Sequence, residues 1–182
     1  MLKTVMRNGH FSTGLIELAN DFKKHLGEKI VLVEIGSYMG ESAEIFAQIL
    51  PKAEIICIDP FEGNFDSADP CSFDNYSEVE KQFDLRTSKY ENIQKFKGYS
   101  TDFKINCNVV YIDGRHFYEG VKEDILHWKP LVSSIISGHD YYDETHNMYI
   151  RNPHIQGVKR AVNEVLGNPD KTYIDGSWMK IL

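Results

Sequence analysis

KIVLVEIGSYMGESAEIFAQILPKAEIICI, residues 29–58, is the stretch that predicts the fold class. Residues 29–35 are almost continuously apolar, which is typical of a strand buried on both faces of a parallel sheet. Residues 41–50 have the composition of a helix, which Pro51 ends, and residues 54–58 form a second apolar run. A β-α-β unit needs about 30 residues, and this stretch supplies them.

Helices and strands continue to alternate on both sides of this unit. Residues 12–26 carry apolar side chains at helical spacing, and Ser12 or Thr13 is a suitable residue to start that helix. After residue 58 the predicted helices are 77–95, 117–129 and 157–166, and the predicted strands are 96–99, 109–112, 134–137, 171–174 and 178–182. This order predicts a Rossmann-like, doubly wound α/β fold: a mostly parallel seven-stranded sheet with helices on both faces.

The chain is expected to form one domain over residues 1–182, with an N-terminal helical segment at 1–28. Two polar segments rich in aromatic residues, 60–76 and 142–156, are predicted as active-site loops. They follow strands of the sheet, and ligands of such sheets bind outside the carboxyl ends of the strands.

Composition and charge exclude several classes of protein. The net charge is −7, from 20 basic and 27 acidic residues, which argues against a general affinity for nucleic acid. No apolar run approaches the ~20 residues that span a bilayer, and the N-terminus lacks the apolar core of a signal peptide. Three cysteines at unpaired spacings offer neither a disulfide framework nor a zinc site. We expect a cytoplasmic protein with no membrane partner, and a homodimer is left open.

Two glycines follow the first predicted strand, in the segment Glu34-Ile35-Gly36-Ser37-Tyr38-Met39-Gly40. Gly36 allows a turn with positive φ, and Gly40 opens a helix whose first N–H groups are free. The spacing G-x-x-x-G differs from the G-x-G-x-x-G of most dinucleotide-binding loops, and Glu34 would repel a pyrophosphate. Asp59 lies 23 residues after Gly36, where an acidic residue commonly accepts hydrogen bonds from a ribose. An ordinary turn with two structural glycines is the alternative.

Five short blocks occur in a set order along the chain. They are E-I-G-x-x-x-G-x-S at 34–42, I-D-P at 58–60, I-D-G-x-H at 112–116, H-D-Y at 139–141 and G-V-x-x-A-V at 157–162. Together they resemble the class I S-adenosylmethionine-dependent methyltransferases, and within them the branch of small-molecule O-methyltransferases. The resemblance covers roughly residues 30 to 182 and implies S-adenosylmethionine as the cofactor.

The resemblance also implies roles for the matched residues. Glu34, Gly36 and Gly40 would hold the amino acid end of the cofactor, and Asp59 would hold its ribose. Ser100 would lie near the adenine, and Phe61 would pack on the ribose or the adenine. The complete predicted set for the cofactor is Glu34, Gly36, Ser37, Tyr38, Gly40, Ser42, Asp59, Pro60, Phe61, Ser100 and Asp113.

Four further residues carry the predicted chemistry. Asp113 ends one strand and His139-Asp140 follow the next, so the three are expected to converge and are the predicted metal ligands. Oxygen ligands suit Mg²⁺, whereas an added imidazole suits Mn²⁺ or another transition ion. Metal-dependent members of the resembling branch commonly have an acidic or amide residue where this chain has His139. His116, with Asp113, is predicted to be catalytic, as the general base that accepts the acceptor's proton.

The sequence therefore predicts an S-adenosylmethionine-dependent O-methyltransferase for a small hydroxylated acceptor, with a divalent ion as an open expectation. N-methylation is a variant of this hypothesis. One alternative is an NAD(P)-dependent oxidoreductase on a similar sheet, although the missing glycine and Glu34 count against it. Another is a non-catalytic member of the fold that binds the cofactor.

Overall fold

The computed structural model describes residues 13–182. The first helix, α1, spans Thr13–Leu26 within the described residues. The alternative start at Ser12, and the first twelve residues of the predicted N-terminal segment, lie outside the described residues. Within residues 13–182, no helix is long and apolar enough to cross a membrane.

Seven strands of residues 13–182 form one sheet, as the sequence predicts. In chain order they are β1 Val31–Ile35, β2 Glu54–Asp59, β3 Ile93–Lys97, β4 Cys107–Ile112, β5 Val132–Gly138, β6 Lys171–Thr172 and β7 Trp178–Ile181. Their spatial order is β3-β2-β1-β4-β5-β7-β6. The first five are parallel, whereas β7 runs antiparallel to β5 and to β6. The order reverses between β1 and β4, so a crevice for a ligand is expected at their carboxyl ends.

Helices cover both faces of the sheet because the central strands are apolar on both sides. On one face Leu32 of β1 belongs to the core beneath α1, α2 (Glu41–Ile49) and α3 (Tyr76–Thr87). On the other face Val33 belongs to the core beneath α4 (Tyr118–Trp128) and α6 (Gln156–Leu166). This two-sided burial confirms the predicted doubly wound fold.

The region between α3 and β3 differs from the prediction. The predicted helix 77–95 ends at Thr87, and the predicted strand 96–99 is instead Ile93–Lys97. β3 is an edge strand of sequence IQKFK, and three of its five side chains are exposed. An edge strand needs no continuous apolar run, so the pattern that located β1 and β2 is absent here.

Both predicted loops contain short helical segments. The loop 60–76 includes a 3₁₀ turn, Pro70–Phe73, before α3 begins. The segment 142–156 was predicted as a loop, but it includes the short helix α5, Asn147–Arg151, and a second 3₁₀ turn. Helices this short present too few periodic positions for sequence periodicity to show them. Between β3 and β4 the helical content is one 3₁₀ turn, Ser100–Asp102.

Candidate active site

A cavity of about 750 Å³ opens at the carboxyl ends of the parallel strands. Its walls are the segments that follow β1, β2, β4 and β5, together with the turn at Ser100 and part of α5. The predicted residues Gly36, Asp59, Asp113 and Asp140 all lie on this wall. The sheet topology therefore gathers residues from four separate strand ends around one space.

Gly36 and Gly40 are required by the backbone around them. Gly36 has φ of 82°, and a Cβ atom there would lie 2.3 Å from the carbonyl oxygen of Asp113. Gly40 has φ of 76°, and a Cβ atom there would lie 3.0 Å from the Phe83 ring. The sequence analysis predicts that these two glycines contact the ligand. In the structure each must be small because neighbouring protein atoms occupy the space that a side chain would need. Gly36 still lies on the cavity wall, but Gly40 does not.

Glu34 lies behind the glycine loop and not on the cavity wall. Its side chain is fully buried. One carboxylate oxygen accepts a hydrogen bond from the Ser42 hydroxyl, and the other accepts one from the Cys57 thiol at 3.2 Å. Burial raises the pKa of the Glu34 carboxyl to about 7, even though the Ser42 hydroxyl favours the charged form. Glu34 therefore holds strands β1 and β2 and the start of α2 together, and its predicted contact with the cofactor stays a prediction for a side chain that lies behind the cavity wall.

Ser37, unlike Glu34, lies on the cavity wall. Its buried hydroxyl lies close to the Glu34 carboxyl and the Cys57 thiol, but within residues 13–182 it makes no hydrogen bond of regular geometry. A buried hydroxyl without a partner costs free energy, so it is a place where a ligand can supply the missing hydrogen bond.

Asp59 joins the loop after β1 to the loop after β2. Its carboxylate accepts hydrogen bonds from the backbone N–H of Tyr38 at 2.9 Å and of Phe61 at 2.6 Å. Burial raises the pKa of the Asp59 carboxyl, and these N–H groups act against that rise. The Phe61 ring turns into the core, with its centroid 5.5 Å from that of Phe83, and does not line the cavity. The packing of Phe61 on the ribose or the adenine therefore stays a prediction that this core position does not support, whereas Pro60 does line the cavity.

Ser100 lies on the cavity wall, at the start of the turn after β3. Its hydroxyl donates a hydrogen bond to the buried carboxylate of Asp124, which also accepts one from Arg115 at 3.2 Å. Burial raises the pKa of Asp124, although the Arg115 charge opposes this. Asp124 and Arg115 also line the cavity, and the sequence prediction missed both. Asp124 lies in the middle of α4, where no motif marks it.

Asp113, His139 and Asp140 converge, as predicted from the ends of β4 and β5. One potential ligand atom from each lies within 4.8 Å of the other two. Asp140 has φ of 60°, a left-handed conformation that is uncommon outside glycine. Two carboxylates and an imidazole at this spacing are a suitable donor set for a divalent ion.

The charges at this cluster depend on one another. Burial would lower the pKa of His139, but the adjacent Asp140 carboxylate raises it to about 9. Burial would likewise raise the pKa of Asp140, but the His139 and His116 imidazoles lower it to about 2. Without a metal ion, protonated histidines therefore neutralise the carboxylates.

His116 contacts three carboxylates. Its Nε2 atom lies 3.2 Å from Asp140 Oδ2 and 3.4 Å from Asp113 Oδ1, and its Nδ1 atom lies 2.9 Å from Asp69 Oδ2. Burial would lower the pKa of His116, but the hydrogen bonds to Asp113 and Asp69 raise it well above its usual value. Asp69 lies in the loop 60–76, and the sequence prediction missed it because nothing distinguishes it from the other acidic residues there.

Only part of the aromatic content of the two loops reaches the cavity. Phe65 and Tyr76 line it from the first loop, whereas Phe73 is exposed to solvent. From the second segment, the hydroxyl of Tyr142 donates to the backbone oxygen of Asp175, which anchors that segment to the turn before β7. His154 and Met148 also line the cavity on this side.

The comparisons with known proteins agree with this architecture. The model of a family described as a methyltransferase domain matches residues 33–141, which is more than half of the chain. The chain therefore belongs to this family of methyltransferase domains. Comparison with curated protein sequences finds no match.

Solved structures show the same fold. A Staphylococcus aureus protein provisionally assigned as a caffeoyl-CoA O-methyltransferase has a TM-score of 0.64 at 12% identity, covering 91% of this chain and 80% of its own. PaMTH1 of Podospora anserina, solved with S-adenosylhomocysteine, has a TM-score of 0.61 at 15% identity over 92% and 76%. TomG of Streptomyces achromogenes, an O-methyltransferase of tomaymycin synthesis solved with S-adenosylmethionine, has a TM-score of 0.58 at 13% identity over 92% and 78%. The fold is that of the class I methyltransferases.

Proposed function

We propose that this protein is an S-adenosylmethionine-dependent O-methyltransferase that acts on a small hydroxylated acceptor. The observation that carries the proposal is the single cavity that contains both the glycine loop with Asp59 and the Asp113-His139-Asp140 cluster. A methyl donor beside the glycine loop and Asp59 would share one cavity with an acceptor hydroxyl activated at the Asp113-His139-Asp140 cluster. Family membership supports the transferase part of the proposal, and the neighbouring structures that contain S-adenosylmethionine or S-adenosylhomocysteine support the cofactor.

The cavity wall fits this cofactor at two positions. The Ser37 hydroxyl makes no hydrogen bond of regular geometry within residues 13–182, and it would offer one to the amino acid end of the ligand. Asp59 is held in place by two backbone N–H groups, and lone pairs of its carboxylate remain for ribose hydroxyls. When bound, the cofactor supplies an electrophilic methyl group, and the protein's task is to align it with the acceptor oxygen.

The Asp113-His139-Asp140 cluster fits a divalent ion that binds the acceptor hydroxyl. Such an ion lowers the pKa of a bound hydroxyl. The two carboxylates would hold the ion, and the backbone carbonyl of His139 accepts a hydrogen bond from Trp178 at 3.2 Å, which helps to fix this segment. The acceptor would enter between the loop 60–76 and α5, beside Phe65 and Met148.

His116 is the residue that the sequence predicts as the general base. That role requires an Nε2 atom free to accept a proton from the acceptor. Near neutral pH without a metal ion, the three surrounding carboxylates favour protonated His116, which cannot accept one. A base role for His116 therefore depends on a cation that neutralises Asp113 and Asp140.

Transfer of a labelled methyl group tests the function. The protein is incubated with labelled S-adenosylmethionine, Mn²⁺ or Mg²⁺, and a panel of phenols, sugars and amines, and each product is identified by mass spectrometry. We expect label on an oxygen of at least one hydroxylated acceptor. Label on nitrogen alone would refute the O-methyltransferase assignment. Cofactor binding without transfer to any acceptor would favour the non-catalytic alternative, and saturable NADH fluorescence would favour an oxidoreductase.

A further inference from the structure

The wall of the cavity has an excess of negative charge. Within residues 13–182 it contains nine aspartate and glutamate side chains, one arginine, Arg115, and no lysine. On the same wall, the buried Ser37 hydroxyl makes no hydrogen bond of regular geometry to the described part of the chain, which is a separate sign that the cavity takes a polar ligand. The charge of the wall therefore bears on which ligands can enter it.

Arg115 is not available to an anionic ligand. Its guanidinium lies 2.6 Å from Glu123 and 3.2 Å from Asp124, and both of these carboxylates belong to the wall. An acceptor that carries a carboxylate or a phosphate would have to take Arg115 away from these partners and leave a buried carboxylate, that of Asp124, unpaired.

The ligands of the proposed function reduce the excess of negative charge without reversing it. A divalent ion brings two positive charges. S-adenosylmethionine brings one, that of its sulfonium, because its ammonium and carboxylate groups cancel. With Arg115 and neutral histidines, four positive charges then face nine carboxyl groups. Burial raises the pKa of Asp59 and of Asp124, and seven of the nine remain charged even if both of these are neutral.

Asp175 brings one of these charges close to the predicted metal site. It lies in the turn before β7, and its carboxylate accepts the backbone N–H groups of Leu15 at 2.6 Å and of Ser177 at 3.0 Å. Both donors are neutral, and no cation of residues 13–182 forms an ion pair with Asp175. Burial would lower the pKa of His139, but Asp140 and, more weakly, Asp175 raise it, so the Asp175 charge is felt where the acceptor hydroxyl would bind.

We infer that the acceptor is a hydroxylated amine, in which a protonated amino group accompanies the hydroxyl that is methylated, and that Asp175 selects this positive charge. This inference rests on the proposed function and names its substrate class. An alkyl amine is protonated at neutral pH and has no lone pair for the methyl group, so transfer goes to oxygen. The sulfonium becomes a thioether, the acceptor O–H becomes O–CH₃ with release of one proton, and the ammonium charge is unchanged.

Acceptors matched in shape and different in charge test the substrate class. Three sets share a scaffold and carry an amine, a neutral group or a carboxylate: tyramine, 4-propylphenol and 3-(4-hydroxyphenyl)propionate; the corresponding catechols; and glucosamine, glucose and glucuronate. Dissociation constants are measured by calorimetry on the complex with S-adenosylhomocysteine and Mg²⁺, so the result does not depend on turnover. We expect the amine to bind roughly tenfold more tightly than the neutral member, and the carboxylate to bind most weakly.

Salt should reduce this selectivity, because the attraction is electrostatic. The ratio of amine to carboxylate affinity should fall as NaCl rises from about 0.05 M to about 0.5 M. A carboxylate that binds as tightly as the amine of its set, or the absence of binding by all three amines, would overturn the inference.

Variants of Asp175 separate its charge from its hydrogen bonds to the backbone. Asp175→Asn should lower the ratio of amine to carboxylate affinity about five- to tenfold, whereas Asp175→Glu keeps the charge and should keep the ratio. The matched control is Asp143→Asn, which removes an equal charge from a side chain that is 82% exposed and lies off the cavity wall. An unchanged ratio in Asp175→Asn, or an equal loss in Asp143→Asn, would overturn the role of Asp175.

Binding of S-adenosylhomocysteine distinguishes failure of this inference from failure of the proposed function. Each variant is first titrated with this ligand, and an affinity equal to that of the unmodified protein shows that the variant is folded. If the unmodified protein binds S-adenosylhomocysteine and methylates a neutral or anionic hydroxyl compound in preference to the matched amine, this inference is refuted while the proposed function stands. If it neither binds S-adenosylhomocysteine nor transfers a methyl group, the proposed function is refuted, and this inference with it.

Discussion

The carboxylates in the two halves of the cavity have different kinds of partner: hydrogen-bond donors in one half and imidazoles in the other. In the cofactor half, formed by the segments after β1 and β2, Asp59 accepts backbone N–H groups and Glu34 accepts a hydroxyl and a thiol. In the metal half, formed by the segments after β4 and β5, Asp113 and Asp140 are paired with imidazoles. Backbone groups are fixed partners, whereas protonated imidazoles can lose their protons to solvent.

This difference suggests that the two halves respond to different ligands. The cofactor half is already assembled, and the Ser37 hydroxyl in it makes no hydrogen bond of regular geometry to the part of the chain that the structure describes. In the metal half, the protons on His116 and His139 neutralise the neighbouring carboxylates, and a bound ion would displace those protons. Variants in one half should therefore leave the ligand of the other half largely unaffected.

Asp140→Asn should give the largest effect, confined to the metal half. Removing this charge takes away a ligand, and metal-ion assistance contributes several kcal/mol, so turnover should fall about 1000-fold. Affinity for S-adenosylhomocysteine should be unchanged. Asp143→Asn is the matched control, because that carboxylate is 82% exposed and, within residues 13–182, forms its ion pair with Lys159. An equal loss of cofactor affinity in Asp140→Asn would contradict the separation of the halves.

Metal affinity should rise with pH. The pKa of His139 is raised to about 9, so at neutral pH its proton must leave before the imidazole can bind an ion. Each proton released per ion contributes about a tenfold rise in affinity per pH unit below that pKa. Anaerobic Mn²⁺ titrations between pH 7 and pH 9 measure this slope, and His139→Asn should reduce it by one proton. An affinity that does not change with pH would contradict the proton displacement.

Ser37→Ala should give the smallest effect, confined to the cofactor half. Loss of one hydrogen bond to the ligand costs about 0.5–1.5 kcal/mol, so affinity for S-adenosylhomocysteine should fall about 3- to 10-fold. The free energy of unfolding should change little, because within residues 13–182 the hydroxyl makes no hydrogen bond of regular geometry. Ser177→Ala is the control: among the described residues its buried hydroxyl also has no such bond, but it lies off the cavity wall. A loss of stability in Ser37→Ala, with affinity unchanged, would contradict a ligand-facing role.

The sequence predicted the parts of the molecule that local patterns encode. The apolar runs of β1 and β2 located the strands, and topology then brought the ends of β4 and β5 together, so Asp113, His139 and Asp140 converge as expected. β3 was misplaced because an edge strand has no such run.

Side-chain direction and long-range pairing were not available from the sequence. Phe61 turns into the core, and Glu34 lies behind the wall, because the packing of whole elements decides these orientations. Asp69 reaches His116 across 47 residues, a pairing that depends on the folded course of the loop 60–76. Asp124 lies on a helix face that becomes part of the cavity only when α4 packs on the sheet.

Calorimetric titration with S-adenosylhomocysteine tests the central claim most directly. The unmodified protein should bind one equivalent, and Asp59→Asn should bind at least about tenfold more weakly, because hydrogen bonds to a charged group contribute about 1.5–3 kcal/mol. Asp66→Asn is the control, because Asp66 lies off the cavity wall and accepts the N–H of Ala68, and this variant should bind S-adenosylhomocysteine as the unmodified protein does. Absence of binding at millimolar S-adenosylhomocysteine and S-adenosylmethionine, in protein shown to be folded, would contradict the account.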